Sequence, residues 1–153
     1  MMASSENLYT AKQAAAICGI SDTALQIALD REHVRAAVVT QGARTYRLFS
    51  REHLISLWIF ARMAENGLKP SAATVYIENL ENELAAEPVL PGGLKHVFCH
   101  QGLIDLVGKD QQADDTLRTG AYVVDYEGTC AAIDDAINTL PILTYWLNKQ
   151  GHE

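Results

Sequence analysis

The chain has 153 residues, 48% of them hydrophobic and 20% charged, with a formal charge of -7. This is ordinary globular composition, enough for one medium domain or two small ones. No apolar run approaches the roughly 20 residues that span a bilayer, and Met1 to Asn7 lacks the basic start and apolar stretch of a signal peptide. A cytoplasmic protein without a membrane partner is expected. Three widely spaced cysteines, Cys18, Cys99 and Cys130, read as reduced thiols buried as small hydrophobes.

The first predicted helix starts at Thr10-x-x-Gln13, which fits a capping box. Ala14, Ala15, Ile17 and Cys18 form its apolar face, and Gly19 supplies the positive φ that ends it. Ser21 is a good N-cap for a second helix through Leu29, with Leu25, Ala28 and Leu29 inward. Gly19-Ile20-Ser21 is then a three-residue turn between two short helices. Ala36 to Phe49 reads as a hairpin: Val38 to Thr40 is strand-like, Gln41 to Arg44 turns, and Thr45 to Phe49 returns. Ser50 caps a third helix that is apolar around most of its circumference, with Leu54, Leu57, Trp58, Ala61 and Ala64 on one stripe and Ile55 and Ile59 beside it. Gly67 and Pro70 stop it. A fourth helix starts at Ser71, with Ala73, Tyr76, Ile77, Leu80 and Leu84 inward and Glu78, Glu81 and Glu83 toward solvent.

Pro88 to Gly93 reads as a linker. Beyond it, His96 to Cys99 and Leu103 to Val107 predict two strands around Gln101-Gly102, and Ala121 to Asp125 a third. A helix over Ala131 to Leu140 presents Ile133, Ala136, Ile137 and Leu140 at helical spacing. Pro141 ends it, and Ile142 to Leu147 reads as either a strand or a short helix. The expected domains are 1–87 and 94–153.

Charge separates along the same line. Residues 1–70 carry eight basic and six acidic side chains, whereas residues 71–153 carry four and thirteen. The acidity belongs to the second half, which suggests two tasks on one chain. A charge near +2 on the first half implies modest affinity for nucleic acid per protomer and a need for dimerisation.

The ordered set Tyr9-Thr10-x-x-x-Ala14-Ala15, Gly19-Ile20-Ser21, Leu25, Tyr46-Arg47-Leu48-Phe49-Ser50, His53-Leu54 and Ala64-Glu65-Asn66-Gly67-Leu68 resembles the MerR-type winged helix-turn-helix over residues 8–85. The resemblance implies a second helix in the major groove and a hairpin wing on the backbone. It implies that Asp22, Thr23 and Gln26 face the bases or nearby phosphates and that Arg44, Tyr46 and Arg47 belong to the wing; Ser21, on the same outer N-terminal face of the helix, joins them as a candidate DNA-binding residue. The chemistry agrees: glutamine can bond adenine bidentately, a helix N-terminus offers amides to a phosphate, and guanidinium matches phosphate geometry. Gln26-Ile27-Ala28 stand where the family usually carries an Arg followed by aromatic residues. That removes one phosphate contact and leaves Ile27 either to pack inward or to meet a thymine methyl. Plainer readings stand beside these: a solvated hairpin edge for Arg44 and Arg47, core packing for Tyr46, ordinary helix surface for Gln26.

In the second half, His96-x-x-Cys99-His100 offers metal-ligand types, with Cys130 as the only extra candidate. Strand alternation puts both histidines on one face and Cys99 on the other, so no metal and no cofactor is expected. Asp110, Asp114, Asp115, Asp125, Asp134 and Asp135 form an acidic set. Adjacent pairs do not converge on one site, and a solvated face or a surface for a basic partner is expected rather than an enzyme. The strands Val97 to Leu106 behind such a head also look like part of some antitoxins of toxin–antitoxin pairs. A phage or prophage repressor, or a recombination directionality factor with the same head, is equally open. The expectation is an α+β protein: a MerR-like winged helix-turn-helix with a small C-terminal α+β domain. It would bind double-stranded DNA as a homodimer and regulate transcription. The competing expectation is a protein-interaction module, an antitoxin or phage accessory factor.

Overall fold

The computed structural model describes residues 7–86, 93–108 and 122–140, in an α+β arrangement of two three-stranded antiparallel sheets and five helices. A short strand, Tyr9–Thr10 (β1), leads into the helix Ala11–Cys18 (α1). Thr10 Oγ1 accepts from the Gln13 amide at 3.1 Å, and the Thr10 amide donates to Gln13 Oε1 at 3.0 Å. This reciprocal box satisfies two amides that would otherwise lack partners. Gly19 ends α1 at φ 68° and donates to the Ala15 carbonyl. Ser21 Oγ then accepts from the Ala24 amide and caps Asp22–Asp30 (α2), which buries Leu25, Ala28 and Leu29. Arg31 to Ala36 follows, with Glu32 in the left-handed region at φ 59°.

Ala37–Gln41 (β2) and Arg44–Phe49 (β3) form a hairpin in which Gln41 pairs with Arg44 across Gly42-Ala43. Gly42 lies at φ 65°, as a II′ turn requires of its first central residue. β3 is the middle strand and pairs on its other side with β1, Tyr9 opposite Phe49. Ser50 begins the next helix, Arg51–Glu65 (α3), through a second capping box. Its Oγ accepts from the His53 amide, and its amide donates to His53 Nδ1 at 3.1 Å.

α3 is the centre of the molecule. It buries Leu54, Ile55, Leu57, Ile59, Phe60, Ala61 and Met63. The expected inward stripe is partly corrected: Trp58 is half-buried and Ala64 exposed, while Phe60 and Met63 are inside. A helix covered on several sides has no single stripe. α1, Pro70–Ala86 (α4) and a later helix all pack on it. α4 starts at Pro70, one residue before the expected start; proline fits the first helical position, where no amide partner is needed.

The second sheet has Leu94–His100 (β4) between Leu103–Gly108 (β5) and Tyr122–Asp125 (β6). The β4–β5 turn is Gln101-Gly102, both at positive φ, as a I′ turn needs. Val97, Cys99 and Val124 lie on the inward face with Ile104, Leu106 and Tyr122. The helix Tyr126–Asn138 (α5) starts five residues before the expected Ala131. Asp125 caps it, accepting from the Gly128 amide at 2.9 Å. A glycine in the first turn lowers helix propensity, yet a Cβ at Gly128 would displace the Asp125 carboxylate that caps the helix. Residues 88–92 of the expected linker, Asp110, Asp114, Asp115, Ala121, Pro141 and the segment 142–147 lie outside the described residues.

One hydrophobic cluster runs through both halves, from Ala14, Leu25, Phe49 and Leu57 to Val97, Val124 and Ile133. Leu57 is fully buried within it. Leu57→Ala is expected to lower unfolding free energy by about 2–5 kcal/mol. Because the cluster is shared, far-UV circular dichroism and tryptophan fluorescence should still report one coincident transition in urea.

Candidate nucleic-acid interface

α2 packs on α1 and buries Leu25, Ala28 and Leu29, which leaves Ser21, Asp22, Thr23, Ala24, Gln26 and Ile27 exposed. Ser21 is therefore both a cap and a surface residue, and its Oγ lone pair is engaged by the Ala24 amide. Asp22 is not the cap; it stands in the first turn, where the helix dipole favours a carboxylate. Ile27 is 46% exposed, so it does not pack inward.

The hairpin divides the remaining candidates between two faces. Cross-strand pairing puts Arg47 beside Val38, with Thr45 on the same face, and Arg44, Tyr46 and Leu48 on the other. Arg47 reaches α2: its Nη1 donates to Asp30 Oδ1 at 3.3 Å. The same oxygen accepts from Gln26 Nε2 at 2.9 Å. Gln26 and Arg47 thus meet through a residue that the motif reading passed over. The signal for half of that contact was the Gln26 to Asp30 spacing of one helical turn; the hairpin half is tertiary. Arg44 and Tyr46 are exposed on the opposite face and are not brought to Asp30, and core packing does not account for Tyr46, at 39% exposed. Arg44 has no ion-pair partner among the described residues, whereas Arg35 pairs with Glu78 at 3.4 Å.

Two arginines of α3 join neighbouring elements to it, and the first acts next to this surface. Arg62 of α3 donates from Nη2 to the Cys18 carbonyl at 2.7 Å, satisfying the exposed end of α1. Its guanidinium lies 4.9 Å from the Trp58 ring centroid, within cation–π reach. Glu65 sits 3.2 Å from the Arg62 Nε, yet Nε makes no hydrogen bond, so that pair is a charge contact without hydrogen-bond geometry. Arg51, at the start of α3, makes a bidentate pair with Asp134 of α5 at 2.7 and 3.0 Å. The hydrogen bond from Arg51 holds the Asp134 carboxyl below the usual carboxylate range.

Burial pushes the Cys18 thiol up to about 12, against the opposing pull of Arg62, and burial alone does the same to Cys99. Burial also raises Cys130 and takes Tyr126 to about 12. Cys18 donates to the Leu54 carbonyl at 3.5 Å. Thiols held neutral in this way are poor nucleophiles and poor ligands. His96 packs against Phe98 on the face of β4 away from Cys99, and among the described residues no three His, Cys, Asp or Glu side chains are grouped to hold a metal ion. A cleft of about 370 Å³ opens between α3, α4 and Tyr126, walled by Ile55, Leu80 and Leu84 with Glu52 and Glu81 beside them. Among the described residues no helix is long and apolar enough to cross a membrane.

No protein-family model matches the chain, and no curated protein matches its sequence.

The lowered Asp134 pKa makes stability depend on pH. Its contribution is fully present above the unfolded carboxyl pKa of about 3.9 and is lost as pH falls through the lower folded value. Asp134→Asn should flatten that part of the acid limb in urea titrations between pH 5 and 2. Both side chains are near half-exposed, so the change at neutral pH should be small, about 1 kcal/mol or less.

Proposed function

We propose that the chain is a sequence-specific DNA-binding transcriptional regulator of bacterial or phage type, with a MerR-like winged helix-turn-helix over residues 8–85. One observation carries the reading: the exposed polar start of α2 stands next to an arginine-bearing hairpin that is hydrogen-bonded to the same helix through Asp30. A helix that reads bases needs short polar groups at its outer N-terminal end, and Ser21, Thr23 and Gln26 are there. A wing needs cations at the backbone, and Arg44, at the hairpin turn and without an ion-pair partner among the described residues, is suited to a phosphate, with Tyr46 beside it. The few cations available favour a homodimer, since two heads on adjacent half-sites combine their contacts.

A second reading keeps the fold and drops the DNA: a protein-interaction module of antitoxin or phage-accessory type. It is favoured by the pairing of Arg35 and Arg47 with carboxylates and by the acidity of the second half.

Fluorescence anisotropy of the full-length chain on labelled 30-base-pair duplexes, run across a salt series, separates the two. DNA binding requires affinity to fall steeply with salt. Arg44→Ala/Arg47→Ala is expected to weaken binding about tenfold or more and to make the log–log salt slope shallower by about two. Unchanged binding by the double variant would remove the wing assignment, and no binding by the wild type at low salt would favour the protein-interaction module.

A further inference from the structure

We infer that Asp30 sets the base selectivity of the proposed DNA surface, as a positioning residue that fixes the Gln26 amide and restrains Arg47. The inference rests on the DNA-binding reading above.

Asp30 is the last residue of α2, where a carboxylate opposes the helix dipole. Its Oδ1 collects two donors: Gln26 Nε2 at 2.9 Å, an i, i+4 pair that offsets part of that cost, and Arg47 Nη1 at 3.3 Å, which local helix stability does not explain. A carboxylate only accepts, so it dictates which way the Gln26 amide faces: the reverse orientation would set oxygen against oxygen. With one N–H spent on Asp30, the exposed Gln26 amide keeps one acceptor, Oε1, and one donor. That pair complements the N6 donor and N7 acceptor of adenine. Guanine presents acceptors at both O6 and N7, so the fixed Oε1 would face an acceptor there. A freely turning amide has no such constraint, since its NH2 can rotate toward either guanine acceptor.

The second effect concerns the backbone. Asp30 is exposed beside Gln26, so its charge repels phosphates wherever the base contacts are not formed, and it holds one of the few hairpin cations in an ion pair. Both effects lower binding to arbitrary sequence more than binding to a matched site. Discrimination depends on this difference of affinities.

The test uses the full-length chain, a random-sequence duplex pool, the duplex that the wild type enriches from it, and that duplex with each base pair changed in turn. Asp30→Ala should bind the random pool about three- to tenfold more tightly and lose about tenfold of its preference for adenine over guanine at one position per half-site. Asp30→Asn keeps an oxygen acceptor without the charge. It should bind the pool more tightly while retaining most of the adenine preference. In a Gln26→Ala background, Asp30→Ala should leave base preference unchanged, which a merely structural role for Asp30 would not produce. Circular dichroism melts verify that each variant is folded. An unaltered preference profile for Asp30→Ala overturns the inference. So does an equal loss of affinity for pool and enriched duplex, or a shift in preference that persists without Gln26. If the wild type binds no duplex at low salt, the DNA reading falls and the inference with it. If the wild type selects a duplex and the Asp30→Ala profile is unaltered, only the role of Asp30 is lost.

Discussion

α3 has to be covered on several sides, and the placement of the other helices follows from that need. A helix that buries Leu54, Ile55, Leu57, Ile59, Phe60, Ala61 and Met63 cannot be satisfied by one neighbour, because no single packing partner reaches more than a limited stripe of a helix surface. α1, α4 and α5 each take a share. The two ends of α3 then act as fixed points. Ser50 and its capping box set where the hairpin leaves the helix, and Arg51 beside it holds α5. Near the other end, Arg62 grips the carbonyl end of α1 and so the start of the turn into α2. The helix proposed to read bases is therefore positioned from the core and not from its own short length, which would be marginal alone.

Electrostatics on the outer surface work against simple attraction. The first half of the chain has only a small excess of cations, and two arginines beside α2 and the hairpin, Arg35 and Arg47, are paired with carboxylates. Such exposed pairs contribute little to stability. Their effect falls on how the surface responds to an incoming charged partner, where a held cation and a near carboxylate count against any contact that is not specific. The described part of the second half shares a core with the first, so the charge of Asp105, Asp125, Glu127, Asp134 and Asp135 is carried close to whatever the head meets.

Much of the fold was legible because its signals are local. Thr10 with Gln13, Ser21, and Ser50 three residues before His53 announce helix starts within one turn of chain. Gly42 and Gln101-Gly102 announce hairpins within two residues. The start of α5 was missed because Gly128 resembles a turn residue until Asp125 is seen capping the helix above it. The inward face of α3 was blurred because an all-round apolar helix has no clear stripe; Ala64 and Phe60 exchanged places for that reason. Of the candidate surface, the α2 residues could be read from helical spacing. The joining of Gln26 to Arg47 could not, since it depends on how the hairpin twists over α2. Arg62 to Cys18 and Arg51 to Asp134 were equally invisible, each linking elements far apart in the chain.

The shared core also orders events during synthesis. Ile133 is fully buried in the same cluster as Leu57. At bacterial-to-eukaryotic elongation speeds of about 5–20 residues per second, it emerges roughly 4–15 s after Leu57. For that interval α3 has an uncovered flank on the nascent chain, open to chaperones and proteases. A product that stops before α5 would therefore be recognised as unfinished by the surface it exposes, and the cell would see few stable fragments carrying α2 and the hairpin alone.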